Sequence, residues 1–167
     1  LMNEREIKII LHTLRSVFPH LSLWRSGSAG DLILIASKSG TLEIDYKRYL
    51  KRIRNSKVRQ EIERVGLDAG RLPFDLFIME DRQLAELLYA DLTQPLEKNT
   101  DNHLISQYST PRQLIRRQEA AGFMGSDLLQ RQSTEAFRLL MKNISNEQFL
   151  ALVNRQVNEK RNKASPI

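Results

Sequence analysis

The stretch HLSLWRSGSAGDLILIAS (residues 20–37) constrains the fold most, because it is the clearest β pattern in a chain of mainly helical periodicity. It predicts two short strands, Leu21–Trp24 and Asp31–Ala36, joined by a glycine-serine loop. The first strand alternates, whereas the second is apolar on both faces, which is typical of a strand inside a sheet covered by helices on both sides. A lone hairpin is only marginally stable in water. We therefore expect this pair to rest on helices of the chain or to complete a larger sheet.

Helical patterns flank the hairpin. Asn3 is a candidate cap of an amphipathic helix that ends near Pro19, and Asp45 and Ser56 are candidate caps of two short basic helices, the second ended by Gly66. The apolar face predicted for that second helix comprises Val58, Ile62 and Val65.

The rest of the chain is also mainly helical in pattern. Residues 73–79 (PFDLFIM) are ambiguous between a strand and a helical turn, and Glu80 or Asp81 is expected to open a helix. Residues 93–108 predict a loop, and the capping-box pattern SNEQ (145–148) opens a last helix. The fold class indicated is therefore α/β to mostly α.

Composition narrows the class of protein. The 167 residues, of which 41% are hydrophobic, suit one domain or part of a larger one. No apolar run approaches the roughly 18–20 residues of a membrane span, and the polar N-terminus is unlike a signal peptide. The absence of cysteine excludes disulfides and thiolate zinc sites. We expect a soluble, cytoplasmic chain, and its first residues, Leu1 and Met2, indicate either a fragment or a non-standard start codon.

Positive charge is concentrated between residues 47 and 64. Eight basic residues against two acidic ones give this segment a net charge of +6, which equals the net charge of the whole chain. Such a cluster indicates either a nucleic-acid-binding surface or a solvated helix face. The candidate basic surface comprises Lys47, Arg48, Lys51, Arg52, Arg54, Lys57 and Arg59.

No catalytic or metal-binding constellation is complete. His12, His20 and His103 are scattered without metal-ligand spacing, and there is no nucleophile turn, P-loop or dinucleotide-binding glycine motif. We therefore predict no metal and no catalytic residue in this chain.

The glycine-serine loop of the hairpin is either a substrate lid, an anion-binding nest or a plain connection. Trp24 is close to this loop in sequence, and it either lines the rim of a substrate pocket there or packs under a helix. The candidate rim residues are Trp24, Ser26, Gly27, Ser28, Gly30 and Asp31.

Two motifs carry a resemblance to a known family. The order of an amphipathic helix, VFPH (17–20), LWR (23–25), GD (30–31) and a hydrophobic strand resembles the last helix and strands of the polyamine aminopropyltransferases, the spermidine synthase family. It is most similar to the long, often membrane-anchored bacterial spermidine synthase-like proteins, whose second motif corresponds to NTDNHLISQYSTPR (99–112). The resemblance covers roughly residues 4–40 and 96–115. The residues of the second motif taken as a family-motif loop are Asn99, Thr100, Asp101, Pro111 and Arg112.

The resemblance implies a methyltransferase-type Rossmann fold for the parent protein, in which the final antiparallel strand lies between two others. Residues 1–40 would be the C-terminal end of that domain, 41–115 a helical extension and 116–167 a helical tail. The cofactor loop and the catalytic aspartate would precede Leu1. This chain alone is therefore expected to bind neither decarboxylated S-adenosylmethionine nor S-adenosylmethionine, the cofactors implied for the parent.

The chain departs from the family within the matched motifs. The proline- and tyrosine-containing stretch that helps to line the family's amine pocket is replaced by RSGSAGD (25–31), so the resemblance does not extend to polyamine binding. In the second motif Asn102, Leu104 and Gln107 replace an aspartate, a proline and a glutamate.

Three functional hypotheses follow. The leading one is the C-terminal portion of a spermidine synthase-like protein, whose partner is the missing N-terminal portion. The second is a basic helical module that binds nucleic acid. The third is a non-catalytic helical interaction domain that forms a homo-oligomer through the hairpin.

Overall fold

The structure, a computed structural model, describes residues 4–26, 31–89, 95–102 and 131–153, and it confirms a mixed α/β class. The elements in chain order are α1 (Glu4–Val17), β1 (His20–Arg25), β2 (Leu32–Ser37), β3 (Ile44–Asp45), α2 (Tyr46–Ile53), α3 (Ser56–Arg64), α4 (Leu72–Leu76), β4 (Phe77–Met79), α5 (Asp81–Tyr89), α6 (Thr134–Leu140), β5 (Met141–Lys142) and α7 (146–153).

The predicted hairpin is confirmed. Strands β1 and β2 are antiparallel, with paired residues from His20 opposite Ser37 to Arg25 opposite Leu32. The backbone N–H of Ser26 donates a hydrogen bond of 2.9 Å to the carbonyl oxygen of Asp31 and so closes the ladder next to the loop.

A third strand completes this sheet in the order β2-β1-β4. Strand β4 is antiparallel to β1, with an irregularity in the pairing between Leu23 and Trp24. The ambiguous segment 73–79 contains a helical turn and then a strand, because α4 is followed directly by β4.

The prediction that Leu32–Ala36 is buried on both faces is wrong for this chain. Strand β1 is the central strand, and β2 lies at the edge with Ile33 and Ile35 44% and 45% exposed. Strand β4 pairs with the other edge of β1. On β2, Leu32 and Leu34 pack against the hydrophobic core. The apolar pattern of β2 therefore exceeds what the described residues cover.

One hydrophobic core joins α1, the sheet and α5. Its buried members are Ile7, Leu11, Leu21, Leu23, Ile78, Met79, Leu84, Leu87 and Leu88. Helix α5 begins as predicted, because the Glu80 carboxylate accepts hydrogen bonds from the backbone N–H groups of Arg82 and Gln83 at 2.9 and 3.1 Å. Such a cap satisfies N–H groups that have no partner within the helix.

Capping residues also set the starts of α2 and α3. The Asp45 carboxylate accepts a hydrogen bond of 2.9 Å from the backbone N–H of Arg48, as predicted. Helix α3 is capped by Asn55 rather than by Ser56, since the Asn55 side chain accepts a hydrogen bond from the Lys57 N–H and Ser56 is already helical. Gly66 follows α3 with a φ of 77°, a left-handed conformation that favours glycine.

The predicted apolar face of α3 is not a core face among the described residues. Helix α3 has no buried residue, and Val58 and Val65 are exposed. The periodicity alone is compatible with burial, but no described element covers these side chains.

Aromatic side chains form a second core. The ring of Phe74 in α4 lies 4.2 Å from that of Phe137 in α6 and 5.9 Å from that of Phe149 in α7, measured between centroids. The predicted capping box opens α7, because Ser145 and Gln148 exchange hydrogen bonds of 3.0 and 3.1 Å between side chain and backbone.

Contacts divide the chain into two compact units that alternate along the sequence. Unit 1 comprises Leu1–Leu42 and Phe77–Ser133, and unit 2 comprises Glu43–Leu76 and Thr134–Ile167. The three expected regions, residues 1–40, 41–115 and 116–167, follow one another along the sequence. Each of these two units is instead built from two separate segments.

Candidate functional site

Trp24, one of the candidate rim residues, lies on β1 in unit 1. Its side chain is buried, its Nε1 donates a hydrogen bond of 2.7 Å to Ser22 Oγ, and its ring meets that of Phe77 edge to face at 5.4 Å between centroids. A buried indole whose N–H already has an acceptor has little left to offer a ligand. These contacts support the packing interpretation of Trp24.

The other described rim residues frame the loop of the hairpin. Ser26 and Asp31 are paired through their backbones, and the side chain of Asp31 is exposed. Gly27, Ser28 and Gly30 lie outside the described residues, so the lid and nest hypotheses stay predictions.

The family-motif loop is attached to α1. The backbone N–H of Asn99 donates a hydrogen bond of 2.8 Å to Thr13 Oγ1, and that hydroxyl donates to the Ile9 carbonyl oxygen at 2.7 Å. Thr100 and Asp101 are exposed, and Pro111 and Arg112 lie outside the described residues. The two regions that carry the resemblance thus meet at a threonine on the amphipathic helix, which the sequence pattern did not single out.

The two edges of the three-stranded sheet differ in burial. On β4 the side chains of Phe77, Ile78 and Met79 are buried, whereas on β2 Ile33 and Ile35 are exposed. The open edge, defined here as strand β2 with its exposed Ile33 and Ile35, has no further strand paired with it in the described part of the chain. An edge strand with apolar side chains is a template for pairing with another strand.

All seven residues of the candidate basic surface are exposed, as predicted for a charged helix face. Arg59 lies 3.8 Å from the carboxylate of Glu63. None of the other six lies within ion-pair distance of a carboxylate among the described residues; these are Lys47, Arg48, Lys51, Arg52, Arg54 and Lys57.

Among the described residues of unit 2, three groups have shifted pKa values. The N–H of Arg48 lowers the pKa of the Asp45 carboxyl, and the Glu43 carboxylate, 2.9 Å from the Lys142 ammonium, raises the pKa of that lysine. Burial raises the pKa of Tyr49 to about 12. Caps and ion pairs explain the first two shifts, and none of the three groups forms a cluster typical of acid-base chemistry.

Residues 4–26, 31–89, 95–102 and 131–153 contain no group of three histidine, aspartate or glutamate side chains placed to hold a metal ion. Over the same residues, no helix has the length and apolar character needed to cross a membrane.

Comparison with known proteins gave no match: no family model, no curated protein and no solved structure is similar to this chain.

Proposed function

We propose that this chain is the C-terminal portion of a spermidine synthase-like protein, not catalytic by itself, which supplies the closing strands of a methyltransferase-type Rossmann sheet. The parent would transfer an aminopropyl or methyl group from an S-adenosylmethionine-type nucleotide. The observation that carries the proposal is the open edge of the sheet, where β2 presents Ile33 and Ile35 to solvent.

The open edge is incomplete in two ways. Its outer row of backbone N–H and C=O groups has no strand partner in the described chain, and its outer face carries two large apolar side chains. Natural proteins protect such edges with charges, prolines, bulges or a covering element. The six residues of β2, LILIAS, contain no charge and no proline, and no described element of the chain covers Ile33 and Ile35, which fits a covering partner.

The resemblance specifies what kind of partner fits. In the family fold the final antiparallel strand lies between two others, and β2 has β1 on one side only. A strand of the N-terminal portion would pair along the open edge, and a helix of the same portion would cover Ile33 and Ile35. A strand that is apolar on both faces, as β2 is in sequence, fits such a doubly covered position.

This division leaves the reaction to residues outside the chain. The resemblance assigns the cofactor loop and catalytic aspartate to the N-terminal portion, and this chain would contribute Ser26, Asp31 and the loop between them at the rim of the amine pocket. Because that loop lacks the family's aromatic residue, the proposal does not specify a polyamine as the acceptor.

The test is reconstitution. The polypeptide encoded immediately upstream of Leu1 is mixed with this chain, and binding of S-adenosylmethionine and of its decarboxylated form is measured by calorimetry. We expect binding by the mixture and not by this chain alone. Failure of the mixture to bind either nucleotide would overturn the proposal.

A pair of double variants tests where this chain would contact the N-terminal portion. Ile33→Lys with Ile35→Lys places charges on the open edge and should abolish reconstitution. Val58→Lys with Val65→Lys is the matched control, because these valines are also exposed, by 42% and 59%, but lie on α3 and at its C-cap position. Equal reconstitution by both variants would show that the open edge is not the contact.

The same edge favours a second candidate, self-pairing of two copies through β2 in a non-catalytic interaction domain. Sedimentation of the chain alone distinguishes the two, since self-pairing predicts a dimer that the Ile33→Lys, Ile35→Lys variant dissociates. A monomer at high concentration would exclude this candidate and leave the first intact.

A further inference from the structure

The basic surface on α2 and the start of α3 has no role in the proposed transferase. Helix α2 carries four cations in eight residues, arranged as two pairs of like charge one turn apart, Lys47 with Lys51 and Arg48 with Arg52. The buried residues of the helix, Tyr46 and Ile53, fix its core face, so the four exposed cations lie away from the core.

Other helices of the chain use the same spacing in the opposite way. Lys8 lies 2.7 Å from Glu4 in α1, and Arg82 lies 4.0 Å from Glu86 in α5, each pair being separated by four residues. Opposite charges at this spacing stabilise a helix, whereas like charges destabilise it. The charges of α2 therefore oppose its own stability, while those of α1 and α5 support theirs.

The cations in the first turn of each helix add to that cost, whereas Lys51 and Arg52, in the last turn of α2, are favourably placed in the helix dipole. Neither α2 nor α3 has an acidic residue in its first turn; Lys47 and Arg48 occupy the first turn of α2, and Lys57 that of α3. Cations at a helix N-terminus are opposed by the helix dipole. Apart from the attraction between Arg48 and the N-cap carboxylate of Asp45, the exposed cations at the start of α2 form no ion pair with a described carboxylate. Such a helix start is suited to an external anion.

The surrounding side chains indicate which polyanion fits. Tyr46 and Ile53 of α2 are buried, and the exposed apolar side chains beside the basic surface are the valines Val58 and Val65. Neither α2 nor α3 exposes the phenylalanine, tryptophan or leucine side chains that insert an amphipathic helix into a membrane. Tyr46 stacks on Tyr49, and the Tyr49 hydroxyl donates a hydrogen bond to the Ala69 carbonyl oxygen, so neither ring is free to stack on a base. Cations without accessible rings suit contacts to backbone phosphates.

We propose that the basic surface binds the phosphate backbone of nucleic acid, without preference for sequence. Binding of this kind releases counterions, and the affinity falls with salt in proportion to the number of phosphates contacted. With about four to six contacts, the affinity for a short mixed-sequence DNA duplex should fall on the order of 10²- to 10³-fold between about 50 and about 200 mM salt. The measurement is fluorescence anisotropy with the full chain.

One double variant separates binding from folding. Lys47→Glu with Arg48→Glu puts acidic residues in the first turn of α2 and pairs each with a cation four residues later, Lys51 or Arg52. Both changes favour the helix. We therefore expect the melting temperature to rise or stay equal while affinity at about 50 mM salt falls about tenfold or more.

The control carries the same change in net charge elsewhere. Arg5→Glu with Arg82→Glu alters two exposed arginines whose side chains are 65% and 78% accessible and which lie in unit 1. This control should lose much less affinity than the Lys47→Glu, Arg48→Glu variant.

Three results would overturn the proposal. One is no binding of the duplex at about 50 mM salt, and another is equal loss of affinity in both double variants, which would reflect net charge alone. The third is binding to vesicles of phosphatidylcholine and phosphatidylserine with none to the duplex, which would assign the surface to membranes. Because these variants leave β2 unchanged, nucleotide binding in the reconstituted protein tests the transferase proposal separately.

Discussion

At the scale of single residues, Tyr49 lies in an environment that disfavours the ionised form of its side chain. Its hydroxyl donates to the Ala69 carbonyl oxygen, and its pKa rises to about 12, first because burial disfavours the phenolate and then because Tyr46 and Asp68 add negative charge nearby. The neutral phenol is thus the form that the fold selects.

Tyr49→Phe is predicted to change the pH dependence of stability. A folded pKa above the unfolded value of about 10 means that the stabilisation is complete below pH 10 and is lost as the pH rises from about 10 to about 12. Because the side chain is only partly buried, we expect the loss to be about 1 kcal/mol rather than the full value for the shift.

The measurement is urea denaturation of both proteins between pH 9 and 12, taken as the difference between them. Lysine titration is common to both and cancels in this difference. The difference in unfolding free energy should narrow with rising pH, because only the unsubstituted protein has the contribution of Tyr49 to lose. A gap that stays constant over this range would contradict the altered pKa.

At the scale of elements, local patterns predicted helix starts and the hairpin, and missed what depends on distant segments. Asp45 and Glu80 cap their helices as expected, because capping needs only neighbours in sequence. The pairing of β4 with β1 could not be derived in this way. Strand β4 has only three residues and directly follows a helical turn, so its sequence has no periodicity that would identify it as the strand next to β1. Consequently β2, which the pattern places inside a sheet, is an edge strand, and β1 is the central strand.

This exchange of positions leads to a direct test. Leu23 on β1 is fully buried, whereas Ile33 on β2 is 44% exposed. We expect Leu23→Ala to cost about 2–5 kcal/mol of unfolding free energy and Ile33→Ala less than about 1 kcal/mol, by denaturant unfolding of the isolated chain. Similar losses would mean that β2 is covered in the isolated chain. The cost of Ile33→Ala should increase in the reconstituted protein if the open edge is the contact.

At the scale of the whole molecule, unit 2 relies on aromatic residues from both of its segments. Phe137, 2% exposed, packs its ring against Phe74, whereas Leu139 on the same helix is 65% exposed. Phe137→Ala should therefore cost about 3–5 kcal/mol and Leu139→Ala less than about 0.5 kcal/mol.

Hydrogen exchange locates the effect of the Phe137 substitution. Amide protection should fall within segments 43–76 and 134–153, where Phe74 and Phe137 lie. A loss of protection confined to α6 would contradict a core shared between the two segments.

The candidate sites were predictable to different degrees. The exposure of the basic surface followed from its composition, because lysine and arginine are rarely buried. The open edge did not, since exposure of Ile33 and Ile35 depends on which segments cover β2, and apolar letters alone predict burial. Trp24 was ambiguous in sequence because the partner of its indole N–H, Ser22, is visible only in the strand geometry.

The alternation of the two units along the chain also bears on synthesis at the ribosome. A nascent chain that has been translated as far as Leu76 contains the first segment of each unit and the second segment of neither. Strand β1 then has its hairpin partner but not β4, and Phe74 lacks both Phe137 and Phe149. Closing these long intervals carries an entropic cost that grows with their length. Translation must therefore reach Leu88, just past the middle of this chain, before the core of unit 1 can close, and Phe149 before the aromatic core can close. Until β4 has been made, the hairpin has two unprotected edges.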